Sequence, residues 1–198
     1  MSVNNLGDLV EIHNVIVGDF VGQATLFRSA RASTSNRTFA SARRHPAGKN
    51  EEAVRCITVD SLLAGLDFRQ HVFIIKIDVE GNELRVLRGM EGLLRQSKGF
   101  VLLYEYYPSG IVGVGLKPAE MRSFIADLNP DWACMEVGGR LVCVGVPGDL
   151  VEAMAAIDTQ RNPRCDSCGN FIVGRGVSSD FLEAGPTRVN VCGAGGET

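Results

Sequence analysis

The apolar run HVFIIKIDV, residues 71–79, ends in charges: Lys76 and Asp78, followed by Glu80. Strand alternation puts Val72, Ile74, Lys76, Asp78 and Glu80 on one side and Phe73, Ile75, Ile77 and Val79 on the other. Three charges in succession on one face are costly unless paired or solvated. A second apolar run, residues 100–107, stays apolar through Leu103 and then reaches Glu105. Open α/β sheets place their ligand crevice at the carboxyl ends of the strands. Asp78, Glu80 and Glu105 are therefore placed to line one crevice, where carboxylates can move protons or orient a substrate. A plainer account also exists. Glu80 and Glu83 fall at a helix start, where negative charge is favoured, and Lys76 can simply neutralise Asp78. Gly18-Asp19 offers another carboxylate where a third apolar run stops, and it reads equally as an ordinary turn. His13 lies in mid-strand and His71 at the opposite end of its strand, so neither reaches that crevice.

Cysteine chemistry is less promising. Cys165-x-x-Cys168 is half of a zinc motif, but only Cys192 follows it and no histidine occurs after His71. A tetrahedral site needs four ligands, so no metal is expected. Cys56, Cys134 and Cys143 sit in apolar runs and read as small core residues. Between Asp19 and Glu51 there is no acidic residue, while Arg28, Arg31, Arg37, Arg43, Arg44 and Lys49 give that window a charge of +6. With a net charge of −3, the remainder carries about −9. The window reads as an exposed loop, either merely solvated or a lid whose Arg43-Arg44 attract an anionic group.

The elements that must position these residues follow from periodicity. Strands are expected over residues 9–17, 23–27, 55–58, 71–79, 100–107 and 171–173, with a hairpin of residues 132–137 and 141–146 about Gly138-Gly139. Helices are expected over residues 61–66 capped by Asp60, over 82–96, from Pro118 to Leu128, and from Asp149 to about Gln160. Strand followed by helix, repeated, indicates an α/β domain with a largely parallel sheet covered on both faces. The chain has 198 residues, 45% of them hydrophobic, which suits one globular domain. No apolar run approaches a membrane span and no leader pattern opens the chain. Reduced thiols then point to the cytoplasm. The near-neutral balance argues against nucleic acid as a partner.

The block IKIDVEGNELRVLRGMEGLL (residues 75–94), followed by VLLYEYYP (residues 101–108), resembles the FkbM family of S-adenosylmethionine-dependent methyltransferases. ITVDSLL (residues 57–63), the opening IHNVIVGDFVGQATLF (residues 12–27) and the final GNFIVGR (residues 169–175) are similar to that family's pattern in the right order. The resemblance implies an α/β class I methyltransferase (Rossmann-like) sheet, S-adenosyl-L-methionine as cofactor, and O-methylation of a hydroxyl on a small molecule or sugar. It makes Asp78 or Glu80 the candidate general base, with Glu105 shaping the acceptor side. Gly18 and Asp19 become the candidate cofactor-binding pair at the adenine end. The family's Gly-rich turn and the acidic residue of its second strand should precede Leu9, where only eight residues stand. Gly113-Val114-Gly115 follows the wrong strand, and residues 193–196 lie near the end. The expectation is a sheet lacking its first two strands: residues 1–175 as an amino-terminally truncated domain and 176–198 as a Gly-rich tail. The third strand is then expected to lack neighbours, with open edges on both sides of the gap. A small-molecule acceptor is the implied partner, with no nucleic acid or membrane, and homo-oligomerisation is left open. The alternative is a non-catalytic, methyltransferase-like interaction module.

Overall fold

The computed structural model describes residues 8–27, 51–159 and 168–180. The basic window with Arg43-Arg44, Cys165 and most of the Gly-rich tail lie outside the described residues. The fold is mixed α/β, with two sheets and the helices between their strands.

The smaller sheet has the order β1-β3-β2, from β1 (Ile16–Val17), β2 (Gly22–Phe27) and β3 (Glu51–Ile57). β1 pairs in parallel with β3, Ile16 opposite Cys56, and β2 runs antiparallel to β3 from Gly22↔Cys56 to Phe27↔Glu51. The strand expected over residues 9–17 is thus reduced to two residues. It does have a neighbour, because β3 returns beside it.

The larger sheet has the order β4-β5-β8-β6-β7: β4 (Val72–Ile77), β5 (Gly99–Tyr106), β8 (Gly169–Arg175), β6 (Trp132–Val137) and β7 (Arg140–Val144). Only β4 and β5 pair in parallel; β8 runs antiparallel to both β5 and β6, so that β6 points the same way as β4 and β5, and β7 closes a hairpin on β6. The expectation of a largely parallel sheet is therefore corrected. A two-residue turn joins β6 to β7, and β8, which follows a helix, enters between β5 and β6 antiparallel to both.

One face of this sheet carries the core. Phe100, Leu102, Tyr104 and Tyr106 of β5 are buried with Ile77 of β4, Phe171 of β8, and helical Leu84, Leu87 and Met154. Tyr104 stacks on Phe171, with centroids 5.6 Å apart. The Tyr106 hydroxyl donates to Asp158 Oδ1 (2.7 Å) and accepts from Arg122 Nη1 (2.7 Å), tying β5 to α5 (Pro118–Asp127) and α6 (Gly148–Thr159). The other face is not covered equally. Ile74 is 83% exposed and Val72 also faces outward, both on the face of β4 turned away from the core. The apolar character of β4 thus does not mean burial on both faces.

Helix boundaries show how local sequence meets tertiary demand. The expected helix over residues 82–96 is two helices, α2 (Glu83–Arg88) and α3 (Glu91–Gln96), separated at Gly89-Met90. A side chain at Gly89 would collide with the Gly18 carbonyl, and the Gly89 carbonyl accepts from the Asp60 amide at 3.0 Å. The break lets the β1 turn approach. Asp60 does not cap its own helix. α1 (Val59–Leu62) is capped by Thr58, whose Oγ1 accepts from the Ser61 amide at 3.0 Å. The Asp60 carboxylate reaches instead to the amides of Gly92 (2.8 Å) and Leu93 (2.9 Å), the first turn of α3. α4 (Pro108–Gly113), unforeseen from periodicity, begins at Pro108 immediately after β5.

Candidate functional site

Two strand ends converge on one cavity. The turn after β1 brings Gly18 and Asp19, and the loop after β4 brings Asp78, Val79, Glu80 and Asn82. Together with Val15, Ile16, Val17, Phe20, Ala24, Cys56 and Arg85 they line a cavity of about 300 Å³. Its floor is apolar and its polar side is dominated by oxygen acceptors. Arg85, the guanidinium in the lining, is held by Asp19 at 3.1 Å, both side chains about three-quarters buried. Asp19 is thereby fixed at the cavity wall rather than left in a solvated turn.

Asp78 pairs with Lys76, Nζ to Oδ2 2.8 Å, as the plainer sequence account expects. Glu80 makes no hydrogen bond or ion pair among the described residues. Glu105 is not part of the cavity lining, yet it belongs to the same electrostatic group. In the parallel register Lys76 lies opposite Leu103 and Ile77 opposite Tyr104, so one step further Asp78 and Glu105 flank each other on one face. Burial, followed by the charges of Asp78 and Glu80, pushes the Glu105 carboxyl above the ordinary carboxylate range, against a hydrogen bond from Cys168 that lowers it. Three acidic groups thus share one corner, with Glu105 the one most inclined to hold its proton. His13 contacts Glu11 at 3.1 Å, and His71 Nδ1 lies 3.0 Å from the Asp67 carbonyl; neither lines the cavity.

The loop Asp78-Val79-Glu80-Gly81-Asn82 is held in a conformation that its sequence alone would not choose. Glu80 has φ +55° and Gly81 φ +98°. A side chain at Gly81 would strike the Gly110 backbone of α4 at 2.5 Å, so the loop presses directly on that helix. Glu83 secures it. This residue is 0% exposed, and one carboxylate oxygen accepts both the Val79 amide (3.1 Å) and the Gly81 amide (3.2 Å). Burial raises its pKa most; the amide bonds oppose this, and the Glu105 charge adds to it. Its other oxygen, Oε2, is buried without a partner, as is Oδ1 of Asn82.

Sequence reasoning placed Glu83 at a helix start as a favourable charge and did not single out Asn82. Local pattern supports that reading of Glu83, since it is the first residue of α2. The available signal was the run of four polar or glycine residues from Glu80 to Glu83, with Asp78 before Val79.

A family model described as the methyltransferase FkbM domain matches residues 1–130, a span that contains every cavity-lining residue and Glu105. No curated protein and no solved structure matches the chain.

Proposed function

The chain belongs to the FkbM methyltransferase domain family, and from that premise we propose that it transfers a methyl group from S-adenosyl-L-methionine to a hydroxyl of a small molecule or sugar. What carries the reading is the cavity where the tips of β1 and β4 meet, lined by carboxylates and an amide oxygen over an apolar floor. Such a lining suits a ligand bearing positive charge and hydrogen-bond donors, as a sulfonium with an ammonium and ribose hydroxyls does. The strand sequence β4-β5-β8-β6, with β4 and β5 parallel and β8 inserted antiparallel, is compatible with the carboxyl-terminal half of a Rossmann-like class I sheet.

In this reading the cofactor supplies an activated methyl group and the protein aligns it with the acceptor oxygen. Gly18 and Asp19 hold the adenine end. Glu80, which has no ion-pair partner among the described residues, or Asp78, once released from Lys76, would take the acceptor hydroxyl's proton. Glu105, biased toward its protonated form, can donate a hydrogen bond on the acceptor side. The exposed outer edge of β4, with Ile74 facing solvent, favours a second reading, a non-catalytic module that binds through that edge. Calorimetric titration of the 198-residue chain with S-adenosylmethionine separates the two. Saturable heat is expected, and its absence at millimolar ligand from well-folded protein overturns the methyltransferase reading for this chain.

A further inference from the structure

Cys134 of β6 and Cys143 of β7 stand directly opposite each other in their hairpin, and their sulfurs lie 3.5 Å apart. Both are free thiols, in unlike surroundings. Cys134 is 1% exposed, placed by the register between Ile172 of β8 and Cys143. Cys143 is exposed, so the core role that its apolar run suggests does not account for it. Opposite residues of an antiparallel pair hold their Cα atoms about 4.5–5.5 Å apart, inside the range of about 4.4–6.8 Å that a disulfide spans. Bonding therefore asks for side-chain rotation rather than strand movement. Among the described residues no group of three or more metal-ligating side chains forms, so a sulfur–sulfur bond is the chemistry that these two thiols offer together.

We propose that Cys134 and Cys143 are a redox modification site, in which a small disulfide such as oxidised glutathione converts the two thiols into a cross-strand disulfide that fastens β7 to β6. The inference is independent of the methyltransferase reading. Access sets the order of events. The exposed Cys143 sulfur, as thiolate, attacks one sulfur of the small disulfide, whose S–S bond breaks and releases one small thiol. Cys134 then gives up its proton and attacks the Cys143 sulfur of the mixed disulfide, and the second small thiol leaves. Two protein thiols are oxidised, one small disulfide is reduced to two thiols, and the two protons end on the departing thiols. Burial, followed by the adjoining Cys143 thiol, pushes the Cys134 thiol upward, so the buried sulfur is the poorer one to begin the reaction. The part of that shift due to Cys143 disappears once Cys143 is held in the mixed disulfide.

The test equilibrates the reduced full chain with graded ratios of reduced to oxidised glutathione, followed by acid quenching, alkylation and peptide mapping without reductant. A Cys134–Cys143 cross-linked peptide should accumulate as the ratio falls, with an intact mass lower by two hydrogens and no glutathione retained on either residue. The melting temperature should rise by roughly 5 °C, since the bond restricts the unfolded chain. Cys143→Ser should abolish both the link and the rise. Cys134→Ala should leave glutathione held on Cys143, because the second sulfur is gone. The proposal is overturned if Cys134 and Cys143 stay alkylatable while the exposed Cys168 is oxidised. Glutathione retained on Cys143 in the wild-type chain, or a link joining other cysteines in place of this one, overturns it equally.

Discussion

Replacing Glu83 by alanine should unfasten the loop that carries Asp78 and Glu80. The carboxylate accepts two backbone amides, from Val79 and Gly81, in a position closed to water. Each stranded amide costs about 1–3 kcal/mol, so the pair together with the emptied side-chain volume comes to roughly 3–5 kcal/mol. For a chain of this size that is a fall in melting temperature of roughly 10 °C. Glu83→Gln should behave differently, because its carbonyl oxygen can accept both amides while the buried charge disappears. The pH dependence then separates charge from hydrogen bonding. Glu83 is shifted upward from 4.5, so the unfolded chain releases this proton first. Its contribution to stability is complete below about pH 4.5 and is lost as pH rises through the folded value. Wild type should therefore lose stability relative to Glu83→Gln between pH 4.5 and 7. Urea denaturation of the three proteins at both pH values measures this. A Glu83→Ala protein within about 1 kcal/mol of wild type refutes the clamp, and a wild-type-minus-Gln difference that does not change with pH refutes the upward shift of the Glu83 carboxyl.

Two further substitutions probe the supports of the site. Asp60→Ala should cost about 0.5–2 kcal/mol and speed hydrogen exchange at the Gly92 and Leu93 amides, while the Thr58-capped α1 keeps its protection; equal exchange before and after the change would show that the carboxylate does not cap α3. Gly174→Ala should push aside the Trp132 ring, which lies against that position and donates from Nε1 to the Val177 carbonyl at 2.7 Å. Trp132 is the single tryptophan of the chain, so its fluorescence emission should move to the red, and an unaltered spectrum counts against this packing.

Where the chain was legible from its sequence, one local rule agreed with its tertiary setting. β5 and the helix from Pro118 show this: an eight-residue apolar strand buried almost throughout, and a Pro-led amphipathic helix that seats Met121 and Ile125 in the core. Illegible features arose where a distant segment outweighed the local one. Asp60 has the sequence position of a cap for α1, but the amides it satisfies lie more than thirty residues later. The apolar stripe carried one expected helix across Gly89, a residue that weakens it, and the Gly18 turn packed against Gly89 accounts for the interruption. Alternation groups Asp78, Glu80 and Glu105, and the three carboxylates do lie close enough to influence one another, although Glu105 stays outside the cavity lining. The unmet Asn82 oxygen and the doubly engaged Glu83 oxygen were not foreseen, because both are properties of packing, invisible to spacing.

The same long-range contacts explain how the cavity holds its shape although its two strand ends belong to different sheets. No strand among the described residues joins β1 to β4, so backbone ladder bonds do not set their separation. The α2–α3 unit sets it instead. Gly89 receives the Gly18 turn, Arg85 of α2 holds Asp19, and α3 is fastened to the start of α1 through Asp60. Glu83, on the first turn of the same unit, fixes the β4 loop opposite. Both walls are therefore indexed to one short helical pair rather than to a continuous sheet. A change within α2 that leaves the β4–β5 ladder intact should then alter the cavity more than a change in β4 itself, since β4 supplies the strand but α2 decides where its charged tip points.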